Sequence, residues 1–327
     1  MLGIDTSKNM LQCALRDPVN HKVLWNKPFH NDADGVSLLL EQTPGDIPWV
    51  IEPTGRFSLS VVRQAQAAGR CVLLAPPRKA KLYLQSLQSR AKTDKLDAKG
   101  LAQFGLSRKL SPYPVKAEPQ ELVDQLLSAR KGISNSITRL QLQADELPHA
   151  REALRNAISG LKAELQALDK QIAARVAQEP SLAIAKELRK VPGIGPVTAA
   201  AVSSRLTAKS FAHPDQFVAY IGLDIDIRQS GTRKGQHGLT HQGDAELRRL
   251  LFCCAKSSIV AKDSPFKTQY EREKAKGLSP TAALCAVARK IAKLCWSLYR
   301  HNTAYDPDRV YKAPESSGKQ PSLADEN

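Results

Sequence analysis

The 327-residue sequence predicts a mixed α/β domain that is followed by two helical regions. Short β-prone runs alternate with helical patterns over residues 1–76. Helical periodicity then continues through residues 119–178, and a second compact, mainly helical region begins at residue 181 and extends to residue 300. Hydrophobic residues make up 42% of the chain but aromatic residues only 5%, so we expect mainly aliphatic cores.

Three β-prone runs open the α/β domain: LGIDTS, LQCALRD and HKVLWNKPFHN. The patterns that follow predict a helix near residues 34–43, a buried strand over PWVIEPTG, a helix over FSLSVVRQAQAAG that closes at Gly69, and a central parallel strand over CVLLAP. This order of three strands, helix, strand, helix and strand resembles the ribonuclease H-like fold. Residues 79–112 then continue as a basic, mostly helical segment.

The middle of the chain predicts two long antiparallel helices. Pro148 must end or kink a helix, because proline cannot donate the backbone hydrogen bond that continues it. Four apolar residues at spacings of 4, 3 and 4 form a stripe suited to helix–helix packing, either in a coiled-coil arm or in an ordinary bundle core: Leu161, Leu165, Leu168 and Ile172.

These patterns divide the chain into four parts. We predict an α/β domain, a helical or coiled-coil arm, a mainly helical C-terminal domain, and a polar Pro- and Ser-rich tail whose composition is typical of disorder, at residues 1–112, 113–180, 181–312 and 313–327.

The charge balance predicts a polyanionic partner. Lys and Arg number 48 against 32 Asp and Glu, a formal net charge of +16. Nucleic acid is the commonest partner of so basic a protein, whereas an anionic membrane would call for a basic amphipathic segment that the sequence does not show. No apolar run approaches transmembrane length, and no signal peptide is recognised at the start.

The six cysteines are interpreted as buried free thiols of a cytoplasmic protein. None forms a CxxC pair, and most lie in apolar runs, so neither zinc ligands nor disulfides are expected.

Four carboxylates are predicted to converge on one metal site. Asp5 ends the first strand and Glu52 ends the fourth, which lies beside the first in this type of fold. Asp94 and Asp97 are three residues apart and so share a helix face. Four acids in one pocket would resist ionising unless cations bind, and their oxygen-only donor set suits Mg²⁺ or Mn²⁺. Taken singly, each acid is better explained as a solvated surface group.

The motif VPGIGPVTA predicts a helix-hairpin-helix-like element. Gly193 and Gly195 would let backbone N–H groups approach a phosphate at the start of the next helix. The alternative is a plain glycine turn between packed helices.

A second candidate segment contains Ser230, which precedes Gly231 in a loop crowded with cations. The cations could hold a phosphate while the Ser230 hydroxyl attacks it. From the residues alone, a simple turn is the better interpretation of this Ser-Gly pair. The basic residues that we predict to contact nucleic acid are Arg228, Arg233, Lys234, Arg248 and Arg249, with His237 nearby.

Five motifs occur together and in order: GIDTSK, EPTG, KTDKLDA, VPGIGPVTA and RQSG followed by GDAELRRLL. Over roughly residues 1–300 this combination resembles the DEDD transposases of bacterial insertion sequences, the "one-ten" family of bridge-RNA-guided recombinases. The resemblance implies a ribonuclease H/RuvC-like domain with a metal site at Asp5, Glu52, Asp94 and Asp97. It also implies a helical assembly arm and a C-terminal transposase domain in which Ser230 forms a covalent link to DNA.

The resemblance extends to partners and location. It implies a structured guide RNA as a cofactor, donor and target DNA, and a homo-oligomer in which dimers assemble to a tetramer, in the bacterial cytoplasm near the nucleoid. One departure stands out. The family often has proline a little after GL, where this chain has Asp224-Ile225-Asp226, which leaves open an acid near Ser230.

We therefore expect a metal-dependent, RNA-guided transposase that exchanges DNA strands through a phosphoserine intermediate. A Holliday-junction-type nuclease that uses only the four acids and water is the alternative enzyme. A non-enzymatic nucleic-acid-binding protein, whose acids merely balance charge, is the alternative outside enzymes.

Overall fold

The computed structural model describes residues 1–87, 93–114, 118–226, 229–230, 233–234, 238–261 and 264–310. Contacts divide the chain into two compact units, Met1–Val115 and Lys116–Asn327, each of which is described by itself. The predicted tail at 313–327 lies outside the described residues, as do Arg228 and His237. The predicted limits of the helical arm stay a prediction.

A six-stranded mixed sheet forms the centre of the first unit. Its strands are β1 (Leu2–Thr6), β2 (Met10–Arg16), β3 (Val23–His30), β4 (Trp49–Ile51), β5 (Val72–Leu74) and β6 (Ser111–Pro112). They lie in the order β3-β2-β1-β4-β5-β6. The first three strands form an antiparallel meander, β4 and β5 run parallel to β1, and β6 closes the edge antiparallel to β5.

Four helices cover the two faces of this sheet: α1 (Ala33–Glu41), α2 (Arg56–Ala67), α3 (Pro77–Ser86) and α4 (Asp94–Ser107). The predicted order of three strands, helix, strand, helix and strand is confirmed. Helix α2 ends just before Gly69, which has a φ of +75°. The last short strand, β6, was not predicted, because its two residues are too few to show a periodicity.

Alternation along β1 assigns residues to the two faces of the sheet. Leu2 and Ile4 are fully buried in a core that includes residues of α1 and α2. Gly3 points to the other face, where a Cβ would lie only 2.2 Å from the Ala98 carbonyl oxygen of α4. Because side chains two apart share a face, Asp5 lies on the face that α4 covers.

The second unit is mainly helical. Its helices are α5 (Glu118–Glu146), α6 (Arg151–Gln178), α7 (Ile184–Leu188), α8 (Pro196–Ala208), α9 (Pro214–Ile221), α10 (Ala245–Ser258), α11 (Pro265–Ala275), α12 (Pro280–His301) and α13 (Pro307–Val310). Short 3₁₀ turns at Pro148–Ala150 and Pro180–Leu182 flank α6.

Helices α5 and α6 form the predicted antiparallel pair. The Arg130 Nε lies 2.5 Å from the Asp169 Oδ1, midway along both helices. Near the turn, the Arg151 Nε donates to the Ala144 carbonyl at 3.0 Å. Of the predicted apolar stripe, Ile172 is fully buried in the core of the unit, while the three leucines are half-buried.

All six cysteines are free, as predicted, but not all are buried. Cys71 and Cys253 are exposed and Cys285 is half-buried, so the prediction of six buried thiols is wrong at these three positions. Cys253 precedes the buried Cys254 on α10, and adjacent residues on a helix point in different directions, so both cannot face the core. Separately, none of the helices in the described part of the chain has the length and apolarity needed to cross a membrane.

Candidate functional site

Asp5 and Glu52 lie at the carboxyl ends of adjacent parallel strands. The last registered pair between β1 and β4 is Ile4 beside Ile51, and the two acids are the residues that follow. Neighbouring strands are about 4.8 Å apart, so the two acids leave the same edge of the sheet together. The predicted adjacency of the first and fourth strands is therefore confirmed.

Asp94 and Asp97 lie in the first turn of α4. The helix begins after Thr93, whose side chain accepts a hydrogen bond from the Leu96 backbone N–H at 3.4 Å. Asp97 is half-buried and Asp94 is exposed. Because α4 packs on the face of β1 that carries Asp5, the fold brings Asp5 and the start of α4 to the same side of the sheet.

The four acids do not form a closed cluster. Among the described residues, which include all four, no three side chains of His, Cys, Asp or Glu are grouped closely enough to hold a metal ion. Their donor chemistry nevertheless fits a hard cation, since carboxylate oxygens are the ligands that Mg²⁺ prefers. The metal site therefore stays a prediction, supported by topology and donor type.

Hydroxyl and amide side chains fix the loops that follow Asp5 and Glu52, and these contacts were not predicted from the sequence. The Thr6 and Thr54 hydroxyls are hydrogen-bonded to each other and so join the chain after β1 to the chain after β4. The Asn31 side-chain amide donates to the carbonyls of Ser7 at 2.8 Å and Phe57 at 3.0 Å. The threonines of GIDTSK and EPTG were a signal for this contact, since each lies within two residues of a candidate ligand.

The glycine motif lies between α7 and α8, as the predicted helix, loop and helix. Gly193 has a φ of +87°, and a Cβ there would lie 2.3 Å from the Cys254 carbonyl oxygen. Gly195 faces open space. Close packing against α10 thus explains why position 193 requires glycine. Phosphate contact at either glycine stays a prediction.

Alanine substitutions should separate the two glycines. Gly193→Ala is expected to lower the free energy of unfolding by about 1–3 kcal/mol, because it strains the backbone and meets α10. Gly195→Ala is expected to cost less than about 1 kcal/mol, as an ordinary loss at a helix start. Urea unfolding of the two variants checks both values. Equal stability of the Gly193→Ala protein and the unsubstituted protein would refute the packing explanation.

Ser230 lies in a short β ladder. Strand β8 (Gln229–Ser230) pairs antiparallel with β9 (Arg233–Lys234), and β7 (Ile225–Asp226) pairs with β10 (Gly238–Leu239). Next to the start of β7, the Thr240 hydroxyl donates to the Asp224 carboxylate at 2.5 Å. Asp224, part of the departure from the family pattern, therefore has a structural partner beside the separate β7–β10 pair. The catalytic role of Ser230 and the contacts of Arg233 and Lys234 stay predictions.

The two arginines of GDAELRRLL have partners within the second unit. Arg248 Nη1 donates to the Ile221 carbonyl at 2.8 Å. Arg249 is exposed and pairs with Glu246, the closest approach being 2.6 Å between Nη2 and Oε1. Arg248 thus supports the end of α9, while Arg249 remains on the surface, where its predicted contact with nucleic acid is untested.

A half-buried ionic network joins three helices of the second unit and was not predicted. Arg205 on α8 pairs with Asp124 on α5 and, at 3.0 Å, with Asp244, which precedes α10. Asp244 also accepts from the Leu247 backbone N–H at 3.0 Å and so caps α10. Burial raises the pKa of Asp244, but Arg205 and the Leu247 N–H outweigh it, so that the net shift is downward. The aspartate of GDAELRRLL was the available signal, since it lies at a helix N-cap.

The lowered pKa makes part of the stability depend on pH. An aspartate whose pKa is lower in the folded than in the unfolded protein stabilises fully above its unfolded value near 4 and loses that contribution as the pH falls through the folded value. Asp244→Asn is therefore expected to cost about 3 kcal/mol at pH 7, and the difference should shrink below about pH 4. Urea unfolding of both proteins between pH 3 and pH 7 measures this difference in the free energy of unfolding.

An exposed pair provides the matched control. Asp306 pairs with Arg309 on the surface at 3.4 Å, and Asp306→Asn should change the free energy of unfolding by no more than about 1 kcal/mol at any pH. Equal effects of the two substitutions at pH 7 would contradict the role given to the network.

Comparisons with known proteins match both units. A family model described as "Transposase", of the DEDD type, matches residues 2–147, and one described as "Transposase IS116/IS110/IS902 family" matches residues 185–271. The chain is 24% identical over 315 residues to the pilin gene-inverting protein of Moraxella lacunata, which covers 93% of this chain and 97% of that protein.

Two transposases from other bacteria are also similar. The probable family 20 transposase of Pseudomonas aeruginosa is 24% identical over 283 residues, covering 75% of this chain and 82% of that protein. The transposase for insertion sequence element IS1328 of Yersinia enterocolitica is 27% identical over 124 residues, which covers 37% of each chain.

Proposed function

We propose that this chain is an RNA-guided DNA recombinase that moves an insertion element. The premise is its assignment to the IS110/IS116 transposases, which two family models and relatives that cover most of the chain support. The observation that carries the proposal is the match of one chain to both models. The first spans Asp5, Glu52, Asp94 and Asp97, and the second spans Ser230. A relative named for pilin gene inversion adds support, because inversion also rejoins every DNA end that it breaks.

We assign the first unit a ribonuclease H/RuvC-like fold. The sheet order β3-β2-β1-β4-β5, with an antiparallel meander and two further parallel strands, supports this assignment. So does the position of Asp5 and Glu52 at the ends of the central parallel pair. In the second unit, the helix, glycine loop and helix over residues 184–208 support a helix-hairpin-helix-like element.

The proposed reaction stores the energy of a DNA phosphodiester in the protein. The Ser230 oxygen attacks the phosphorus, a bond from Ser230 to the phosphorus forms, and the bond from phosphorus to the departing DNA oxygen breaks. Ser230 gives up one proton and the departing oxygen takes one up, so that it leaves as a hydroxyl. The freed hydroxyl of a second strand later attacks the phosphoserine and restores Ser230. Because one phosphodiester replaces another, no ATP is needed.

Four acids would hold the divalent cation in this proposal. Asp5 and Glu52 leave one edge of the sheet together, and Asp94 and Asp97 begin the helix that covers the same face. A bound Mg²⁺ or Mn²⁺ would supply positive charge to the phosphate oxygens. The Thr6–Thr54 hydrogen bond and the two hydrogen bonds from Asn31 fix the segments that follow Asp5 and Glu52.

The net charge of +16 supports nucleic-acid partners. We propose donor DNA, target DNA and a structured non-coding RNA, and a homo-oligomer of dimers that assemble to a tetramer, since strand exchange needs at least two active chains. The bacterial relatives support action in the cytoplasm at the nucleoid.

Strand exchange between two plasmids tests the function. One plasmid carries the element with its native flanking sequence, the other carries a target, and sequencing detects the joined products. Recombination is expected to yield conserved junctions that contain both parental ends. A nuclease would give cut strands without junctions, and a binding protein would give neither, so either result would reject the proposal.

Guide RNA is the next expectation. Protein made in cells that carry the native flanking sequence should copurify with one discrete RNA, and the complex should weaken steeply as salt rises, because phosphate contacts release counterions. Sequencing the bound RNA and repeating the strand exchange after RNase treatment check this. Heterogeneous bulk RNA, together with full recombination after treatment before assembly, would refute RNA guidance.

A further inference from the structure

A small aromatic cavity opens between α8 and α12 of the second unit. Its volume is about 150 Å³. It is lined by Leu206, Thr207, Ser210, Phe211, Trp296, Tyr299 and Arg300. Three aromatic residues, one of them the tyrosine, two aliphatic hydroxyl residues and one arginine thus surround a space that suits a single flat ring system.

The aromatic walls are held rigidly. The Trp296 indole N–H donates to the Phe211 carbonyl at 3.0 Å, which fixes the tryptophan against the loop after α8. Phe211 packs edge-on against Phe217 and Tyr220, with ring centroids 5.2 and 5.3 Å away. Phe211 and Trp296 are largely buried, so a ring that entered the cavity would meet the half-buried Tyr299 in front of two ordered aromatic side chains, which lowers the entropic cost of stacking.

Cations lie beside this cavity. Arg300 is exposed in the last turn of α12 and forms no ion pair within the described part of the chain. The Lys209 Nζ lies 5.3 Å from the Tyr220 ring centroid and 5.7 Å from that of Phe211, so a second cation stands over the same aromatic group. A slot of mixed polar and apolar lining, with Arg300 at its rim and Lys209 over the neighbouring aromatic rings, suits a flat ring that is attached to an anion.

We propose that this cavity binds one unstacked base of a single-stranded nucleic acid, with Arg300 at the adjoining phosphate. Stacking on aromatic side chains and a cationic rim are the features by which proteins bind single strands. The inference rests on the proposed function in so far as strand exchange exposes single-stranded nucleotides. It concerns a surface to which no catalytic role has been given.

A binding assay with one base tests the proposal. Two eight-nucleotide strands are compared, one entirely abasic and one carrying a single adenine at its centre, each with a deoxyribose and a ribose backbone. The unsubstituted protein is expected to bind the single-base strand about tenfold more tightly than the abasic one, on at least one backbone. The preferred backbone distinguishes DNA from RNA as the source of the base.

Filling the cavity provides the decisive variant. Ser210→Phe should abolish the preference for the base while leaving the affinity for the abasic strand unchanged, and Ser257→Phe, which adds the same ring at an exposed position of α10, should keep the preference. Arg300→Ala should lower the affinity for both strands more than Lys267→Ala, which removes the same charge from an exposed position of α11. If Ser210→Phe fails to fold, Tyr299→Leu removes one aromatic wall and should reduce the preference instead.

Equal binding of the two strands by the unsubstituted protein would overturn the proposal, as would equal effects of the two phenylalanine substitutions. If the cavity binds a protein segment and not a base, the unsubstituted protein should bind the two strands equally. The assay needs no DNA cleavage, so the Ser230→Ala protein should show the same preference. Failure of the strand-exchange test and failure of this inference can thus be told apart.

Discussion

Ser230→Ala is expected to abolish covalent protein–DNA products, with a loss of at least about 10³-fold in the rate of strand cleavage. The reason is that the proposed attacking oxygen is absent. Denaturing gels of reactions with labelled DNA measure the adduct, and mass spectrometry of the digested adduct should locate the linkage on the peptide that contains Ser230.

The control is Ser257→Ala, which removes an exposed hydroxyl from α10 of the same unit. This protein should form the adduct at the normal rate. Unfolding curves should show that Ser230→Ala remains folded. An adduct that maps to another residue, or cleavage by the Ser230→Ala protein, would favour the nuclease that uses water.

Substitution of the four acids is expected to have the next largest effect. Asp5→Ala, Glu52→Ala, Asp94→Ala and Asp97→Ala should each reduce DNA cleavage by at least about a hundredfold, because each removes a proposed ligand for the cation that offsets charge on the phosphate. Chelation with EDTA should have the same effect, and added Mg²⁺ should restore activity to the unsubstituted protein only.

Asp34→Ala is the matched control for α4. Asp34 lies exposed in the first turn of α1, so its loss removes the same charge from the first turn of a helix and should cost about 0.3–1 kcal/mol of stability, as at Asp94. Cleavage by Asp34→Ala should stay normal. Normal cleavage by the Asp94→Ala or the Asp97→Ala protein would show that the substituted residue is not a required metal ligand. Cleavage that persists in EDTA would show that the reaction needs no metal ion.

The order of elements in the first unit was predictable from local patterns. β-prone runs, apolar spacing and turn residues reflect backbone geometry over a few residues, so β1 to β5 and the long helices α5 and α6 could be recognised along the chain. The position of Asp5 and Glu52 at strand ends followed from the same patterns. Their shared edge depended on the expected fold, and the pairing of β1 with β4 confirms it.

The partners of the candidate residues could not be read in this way. Arg205 pairs with Asp124, 81 positions earlier, and Gly193 packs on Cys254, 61 positions later, so no local pattern reports these contacts. The aromatic cavity likewise combines residues of α8, the following loop and α12. Each of these contacts depends on how helices pack, which many distant side chains decide together.

By itself, then, the sequence determined which segments form strands and helices, where the acids and the serine lie along them, and that the chain is strongly basic. The tertiary structure decided what each of these residues touches. It placed Gly193 against α10, Arg248 on the carbonyl of Ile221 and Asp224 on the hydroxyl of Thr240. The physical reason is that periodicity follows from the backbone of a single segment, whereas the partner of a side chain is set by packing between segments far apart in the chain.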